Sequence, residues 1–317
     1  MAIIAQTLKE IALDKAKKRP DMVDNLTENA PILDILRWVP ASHGLWNVEE
    51  ALASIKGASF VDLGAPLPAM DVTSNLEQTY VSIMGGEIEA SRDKVEQFGG
   101  ASKYFAKKER PIFRQAGMDT EHKLFYDFFR KAAIKAGNVL NVGGTADSGG
   151  KTGLYTIAVV RLDDANNIGI YDPSQFNQGR LLNITPLNGG SLYHLRSQPG
   201  VAGYGVEYRG RFGWQLIGPG RTVSVLVNVH PSDDTNKNKI PTISQVEDAI
   251  ANVRGDASNT YIFGHVRALR RVFNSFKENA IQYVNADSDL KTMVGSINGV
   301  KIVGSYNMSD GNELLYK

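Results

Sequence analysis

The stretch from Asn141 to Gly153, NVGGTADSGGKTG, holds the residue types most suggestive of chemistry. A phosphate-cradling loop needs a glycine, four residues, and then Gly-Lys-Ser/Thr, so that backbone N–H groups wrap the phosphate and the lysine reaches it. Gly150-Lys151-Thr152 supplies the end, but the first glycine should fall at residue 145, which is Thr145. A helix N-terminus should also come next, to meet the phosphate with its unpaired N–H groups. The next residues are instead Leu154-Tyr155-Thr156-Ile157-Ala158-Val159-Val160, a β-type run. The segment is expected to be a glycine connector, and a nucleotide-binding enzyme stands only as a remote alternative.

Other reactive residues form no local constellation. Of His43, His122, His194, His230 and His265, no two are three to five residues apart, the spacing a local metal pair needs. Ser191 and Ser224 lie in no nucleophile-elbow pattern. Asp163-Asp164 and Asp233-Asp234 have the character of turn residues. The chain has no cysteine, which excludes disulfides, thiolate metal sites and a cysteine nucleophile. No catalytic, cofactor-binding or metal-binding residue is therefore expected, and the chain does not read as an enzyme. One charge pattern is organised: Lys103, Lys107, Arg110 and Arg114, spaced four, three and four along one helix face. Such a stripe is a solvated face, a contact with an acidic neighbour, or a contact with DNA.

The elements that would position these residues are set by apolar spacing. Ile4, Leu8 and Ile11 predict an amphipathic helix over residues 2–18. Short helical pieces are expected around Val23–Leu26 and Ile32–Trp38. Residues 42–85, with Trp46, Phe60, Val61, Tyr80, Val81 and Ile83 punctuated by Gly57, Gly64, Pro66 and Pro68, predict a long two-stranded excursion. Ala101–Ala116 is helical, with a bend or break expected at Pro111. Gly117 and Asp119-Thr120 predict an interruption, with Asp119 or Thr120 capping a second helix. That helix carries Leu124, Phe128, Ala132 and Ala136 beside Phe125, Phe129 and Ala133, and Gly137 suits its C′ position. Strands are predicted at Leu154–Leu162, Ile168–Tyr171 and Thr222–Val229, with Val206–Gly210 and Arg211–Ile217 as a pair. Thr242-Ile243-Ser244-Gln245 matches a capping box for a helix with Val246, Ile250 and Val253 inward. A strand at Thr260–Phe263, a helix at His265–Phe276 and a strand at Val300–Gly304 close the chain. This order is α+β, not a regular βαβ array.

Composition narrows the class further. Of 317 residues, 42% are hydrophobic, enough for a real core. Thirty-five lysines and arginines against thirty-four aspartates and glutamates leave a net charge of +1, so a fold built to grip nucleic acid is not indicated. The N-terminus lacks the pattern of a secretory signal, and no apolar run approaches the roughly 20 residues that span a bilayer. The arm and the two-stranded excursion cannot fold alone, because an isolated hairpin is marginal in water. They call for neighbouring subunits, and a near-neutral charge suits dense packing of many copies.

Taken in order, the segments resemble the major capsid proteins of tailed bacteriophages, the Hong Kong ninety-seven fold, and most nearly those of short-tailed phages of the epsilon-fifteen type. The resemblance rests on Val81–Glu89, residues 101–137, Asn138–Leu154, Asp172-Pro173, Leu187–Gly190, Gly203–Val206, Tyr261–Leu269 and Gly299–Val303. It implies an N-arm at 1–41, an extended E-loop at 42–85 and a P-domain with a long spine helix at 86–140. A strand-rich P-domain and A-domain region at 141–230, an A-domain at 231–298 and a C-terminal strand and tail at 299–317 complete it. The function implied is a structural protein assembling as hexamers and pentamers into the icosahedral head around the genome, made in the host cytoplasm and carried in the virion. The implied partners are the chain itself, a separate scaffolding protein, a portal protein, a cement or decoration protein, and packaged double-stranded DNA by non-specific contact; no membrane is implied. An encapsulin-like compartment shell is the alternative. The candidate inter-subunit residues are Trp46, Phe60, Lys103, Lys107, Arg110 and Arg114.

Overall fold

The computed structural model describes residues 6–8, 10–11, 26–63, 66–145, 152–162, 167–174, 183–218, 221–230, 240–269, 281–282, 296–309 and 311–316. The first strands are β1 (Gln6–Thr7), β2 (Arg37–Pro40), β3 (Trp46–Lys56), β4 (Asp71–Tyr80), β5 (Ser82–Ser91) and β6 (Val139–Asn141). Then come β7 (Tyr155–Arg161), β8 (Asn167–Tyr171), β9 (Asn183–Pro186), β10 (Tyr193–His194), β11 (Ala202–Leu216) and β12 (Val223–Val229). The last are β13 (Thr260–His265), β14 (Ile281–Gln282), β15 (Ser296–Ile297) and β16 (Val300–Ser305). The helices are α1 (Pro31–Ile35), α2 (Arg92–Gln97), α3 (Ala101–Lys123), α4 (Lys131–Ala136) and α5 (Ile243–Asn252), and a π-wound segment, Leu124–Arg130, joins α3 to α4.

One sheet has the order β14-β15-β16-β13-β7-β12-β6. Its central strands β7 and β12 are buried along almost their whole length, because a helix covers each face. Alternate residues of β12 enter two cores. Val223, Val225 and Val227 join Phe129 and Phe263 beneath the long helix, while Leu226 and Val229 join Val246, Ala249 and Val253 beneath α5. α5 begins with the predicted capping box: the Gln245 N–H donates to Thr242 Oγ1, and the Gln245 side chain accepts from the Thr242 N–H. The strand at 260 extends to His265, and residues 266–269 are helical; the rest of the helix predicted to Phe276 lies outside the described residues.

The second sheet is organised by β11. Along one of its edges β5 pairs over ten residues, Gly203 with Ser91 through to Phe212 with Ser82. Along the other, β10, β9 and β8 succeed one another. The expected pair Val206–Gly210 and Arg211–Ile217 is thus a single strand. Glycines in this strand serve close backbone approach: a Cβ at Gly203 would collide with the Ala90 carbonyl, and one at Gly213 would lie 2.8 Å from the Tyr80 carbonyl oxygen.

The long helix corrects a second expectation. α3 runs without a break through Pro111 and Gly117. Pro111 is tolerated because it and Lys107, whose carbonyl loses its donor, are both exposed to water. Gly117 is needed because the N-terminal segment crosses there, and a Cβ would collide with the Leu26 carbonyl. Thr120 caps nothing; its hydroxyl donates back to the Ala116 carbonyl at 2.6 Å. Gly137 takes the left-handed conformation, φ 77°, as its C′ position requires.

Most of the helix predicted over residues 2–18 lies outside the described residues; within them, Gln6–Thr7 is a strand on Trp38 and Arg37, while Leu8, Glu10 and Ile11 are helical, with Leu8 and Ile11 buried. The piece predicted around Val23–Leu26 likewise falls mostly outside them. The helix predicted at Ile32–Trp38 stops at Ile35, and Trp38 belongs to β2, with its ring laid over Gly169 of β8.

Candidate inter-subunit surface

β3 and β4 form a sheet of their own, with no third strand among the described residues. The root of this hairpin is built into the body. Asn47 and Gln215 are both buried, and the Asn47 amide donates to Gln215 Oε1 at 2.5 Å. The Ser42 N–H donates to Asn47 Oδ1 at 3.0 Å, and the Val81 N–H to the Leu45 carbonyl at 2.9 Å. Trp46 is half-buried here, stacked on His43 with ring centroids 3.8 Å apart and planes 5° from parallel. Phe60 lies at the far end, fully exposed. The two aromatics thus have different settings: Trp46 finds a partner in its own chain, and Phe60 touches open solvent.

Beyond the root the hairpin is an open apolar surface. Leu63, Leu67, Met70, Val72, Leu76 and Tyr80 are exposed. Glu49 and Glu77 stand directly opposite each other in the ladder, and like charges in that position weaken a hairpin. Next to the body, Glu89 of β5 fixes the loop after β10. Its carboxylate accepts from the Ser197 hydroxyl and N–H, the Tyr193 hydroxyl and the Arg196 N–H, at 2.6–3.1 Å. Led by the Ser197 hydroxyl, these donors hold the Glu89 carboxyl down at about 2. Arg196 also pairs with Glu87 at 3.0 Å.

The basic stripe divides in two. Arg114, 29% exposed, forms an ion pair with Glu28 of the N-terminal segment, and Arg110, 64% exposed, reaches the same carboxylate at 3.8 Å. Lys107 lies over the Phe98 ring, 5.2 Å from its centroid. Lys103 and Lys107 are exposed on the first turns of α3. Nothing in the sequence singled out Glu28, because it meets α3 only through the chain crossing at Gly117.

The other sequence candidates fall in structural settings. Residues 146–151 of the glycine connector, Lys151 among them, lie outside the described residues; β7 begins soon after, with no helix between. Ser224 is buried, its hydroxyl donating to the Asn138 carbonyl at 3.4 Å. His265 is buried beside Tyr155 and accepts from the Arg267 N–H at 3.1 Å. Among the described residues no group of three or more His, Asp or Glu side chains is placed to hold a metal ion, and no described helix is long and apolar enough to cross a membrane.

No protein-family model and no curated protein matches the sequence. Solved structures do match. A bacteriophage Epsilon15 structure aligns with a TM-score of 0.50 at 11% identity, covering 84% of this chain and 84% of that one. The bacteriophage JBD30 capsid aligns with a TM-score of 0.50 at 12% identity, covering 85% and 88%. A Synechococcus elongatus encapsulin complex aligns more loosely, with a TM-score of 0.43 at 11% identity, covering 67% and 91%. The mixed sheets, the long helix and the two likenesses at a TM-score of 0.50 give this chain the fold of the Epsilon15 structure and the JBD30 capsid, a fold of the Hong Kong ninety-seven-like kind. At these identities the likeness is one of fold and does not single out the epsilon-fifteen type.

Proposed function

We propose that this chain is the major capsid protein of a tailed bacteriophage, a structural subunit that assembles through hexamers and pentamers into the icosahedral head. The observation that carries this reading is the free-standing hairpin. Its apolar side chains are open along one continuous excursion, and Glu49 opposes Glu77, so it lacks the partners a stable two-stranded ribbon needs. A neighbouring copy supplies them. The fold shared with the JBD30 capsid supports the same reading. In its terms residues 1–41 are the N-arm, 42–85 the E-loop, 86–140 the P-domain with its spine helix, and 231–298 the A-domain.

Phe60 at the hairpin tip, and Lys103 and Lys107 on the long helix, are the side chains we assign to contacts with neighbours. Trp46 helps to set the hairpin's angle from within its own chain. A scaffolding protein, a portal, a cement protein and the packaged DNA are the proposed partners, and the virion the proposed location. The test is expression with the neighbouring phage genes and then negative-stain microscopy. Closed icosahedral particles are expected; a protein that stays monomeric under all assembly conditions overturns the reading. Particles enclosing a protein cargo instead of DNA would indicate an encapsulin-like compartment.

A further inference from the structure

Glu121 is fully buried near the end of α3, and both terminal segments are tied to it. Its Oε1 accepts from the Ile32 N–H of α1 at 2.7 Å. Its Oε2 accepts from the Ser305 hydroxyl at 2.6 Å and from the Asn307 amide, just past β16. The same Asn307 amide donates to the Asn29 carbonyl at 2.5 Å. One carboxyl group therefore joins three stretches of chain that are remote in sequence.

No cation answers it among the described residues. Within three residues of Asn29 and Ile32 the charged groups are Glu28, taken by Arg114 and Arg110, and Asp34 of α1. On the long helix, within two turns of Glu121, they are Arg114, Asp119, His122, which stacks on Tyr126, and Lys123. After Ser305 the described C-terminal residues carry Glu313, which is bound to Tyr126, Arg130 and Thr156, and the tyrosines Tyr306, which is exposed, and Tyr316. The three donors favour the carboxylate, but full burial without a countercharge outweighs them and disfavours the ionised form.

We infer that Glu121 is the pin of a pH-responsive clamp that fastens both terminal segments to the long helix, closed while its carboxyl carries a proton and eased when it ionises. Burial pushes this carboxyl up to about 7, against the pull of Ser305, Ile32 and Asn307. Because the folded value lies above the ordinary 4.5, the clamp's contribution is complete in acid and is lost as pH rises through about 7. Easing the clamp lets water reach the carboxylate. It does not free the whole C-terminal segment, which has ties elsewhere: the Gly153 N–H donates to the Gly311 carbonyl at 2.8 Å, and Tyr316 exchanges two hydrogen bonds with Asn228. The inference concerns the single subunit and does not rest on the shell reading.

Amide hydrogen exchange of the unassembled full chain tests it. Between about pH 6 and 8.5, after correction for the intrinsic pH dependence of exchange, the backbone amides of Ile32, bound to Glu121, and of Asn307, bound to Ser305 Oγ, should lose about tenfold in protection while Val225 in the core does not change. Glu121→Gln, an uncharged isostere, should make both profiles flat. A flat wild-type profile, or a slope that persists in the glutamine variant, overturns the clamp. If the variant does not fold, carboxyl-carbon NMR of the wild-type chain decides: titration of Glu121 between about pH 6 and 8 upholds the inference, and titration below about 5.5 overturns it.

Discussion

Single residues here settle how chain segments may approach one another. Gly117 lets the backbone at Leu26 cross the long helix where any side chain would collide. Gly117→Ala should therefore destabilise the fold by about 1–3 kcal/mol in denaturant titrations, because the atom that must give way is backbone. The sequence offered this glycine only as an interruption, since a helix-internal glycine looks the same whether it breaks the helix or lets another chain pass. Glu89 was not legible at all: its four donors come from β10 and the loop after it, remote in sequence. Its depressed value means that the loop it holds is secured above the ordinary 4.5 and released as pH falls through about 2. Glu89→Gln should loosen that loop at neutral pH as well, seen as faster exchange of the Ser197 amide.

Elements were legible where period and flanking residues agreed. The hairpin, the capping box at Thr242 and the strand at β12 all arise from local pattern. The reading failed where glycine has a tertiary use: it ended the first half of α3 before Gly117 and split β11 at Gly210, and it allowed a break at Pro111 where α3 is continuous. It also gave no sign of the π-wound segment, which sits between helices of ordinary composition. The hairpin's design yields two expectations. Deleting residues 50–75 should leave a cooperatively folded body by circular dichroism, because the root is held by Asn47, Gln215 and β5, yet abolish shells. Asn47→Ala should cost about 1–3 kcal/mol in thermal or denaturant unfolding, because it removes the buried hydrogen bond that joins the hairpin root to Gln215 of β11.

The whole molecule was legible as an order of segments rather than as any motif, and so the candidate contacts remained a set of side chains without settings. The structure sorts them, giving Arg114 an internal partner and leaving Lys103 and Lys107 outward. Lys103→Glu combined with Lys107→Glu should impair assembly of empty shells, counted by sedimentation, if these lysines meet acidic groups of an adjacent subunit. If only DNA-filled particles are lost, the contact is with the genome, where phosphate binding is non-specific and weakened by salt. The union of hairpin and body bears on mechanics. A single residue, Val81, passes from β4 to β5, so a pull on the hairpin enters β5 and the ten pairs it makes with β11. The bonds of an antiparallel ladder lie across the strands, so tension along β5 loads them side by side in shear, whereas peeling would break them in turn. A subunit tugged by its neighbours through this ribbon resists with the full ladder at once, as a lap joint does, and the expected weak point under strain is the short turn at Val81.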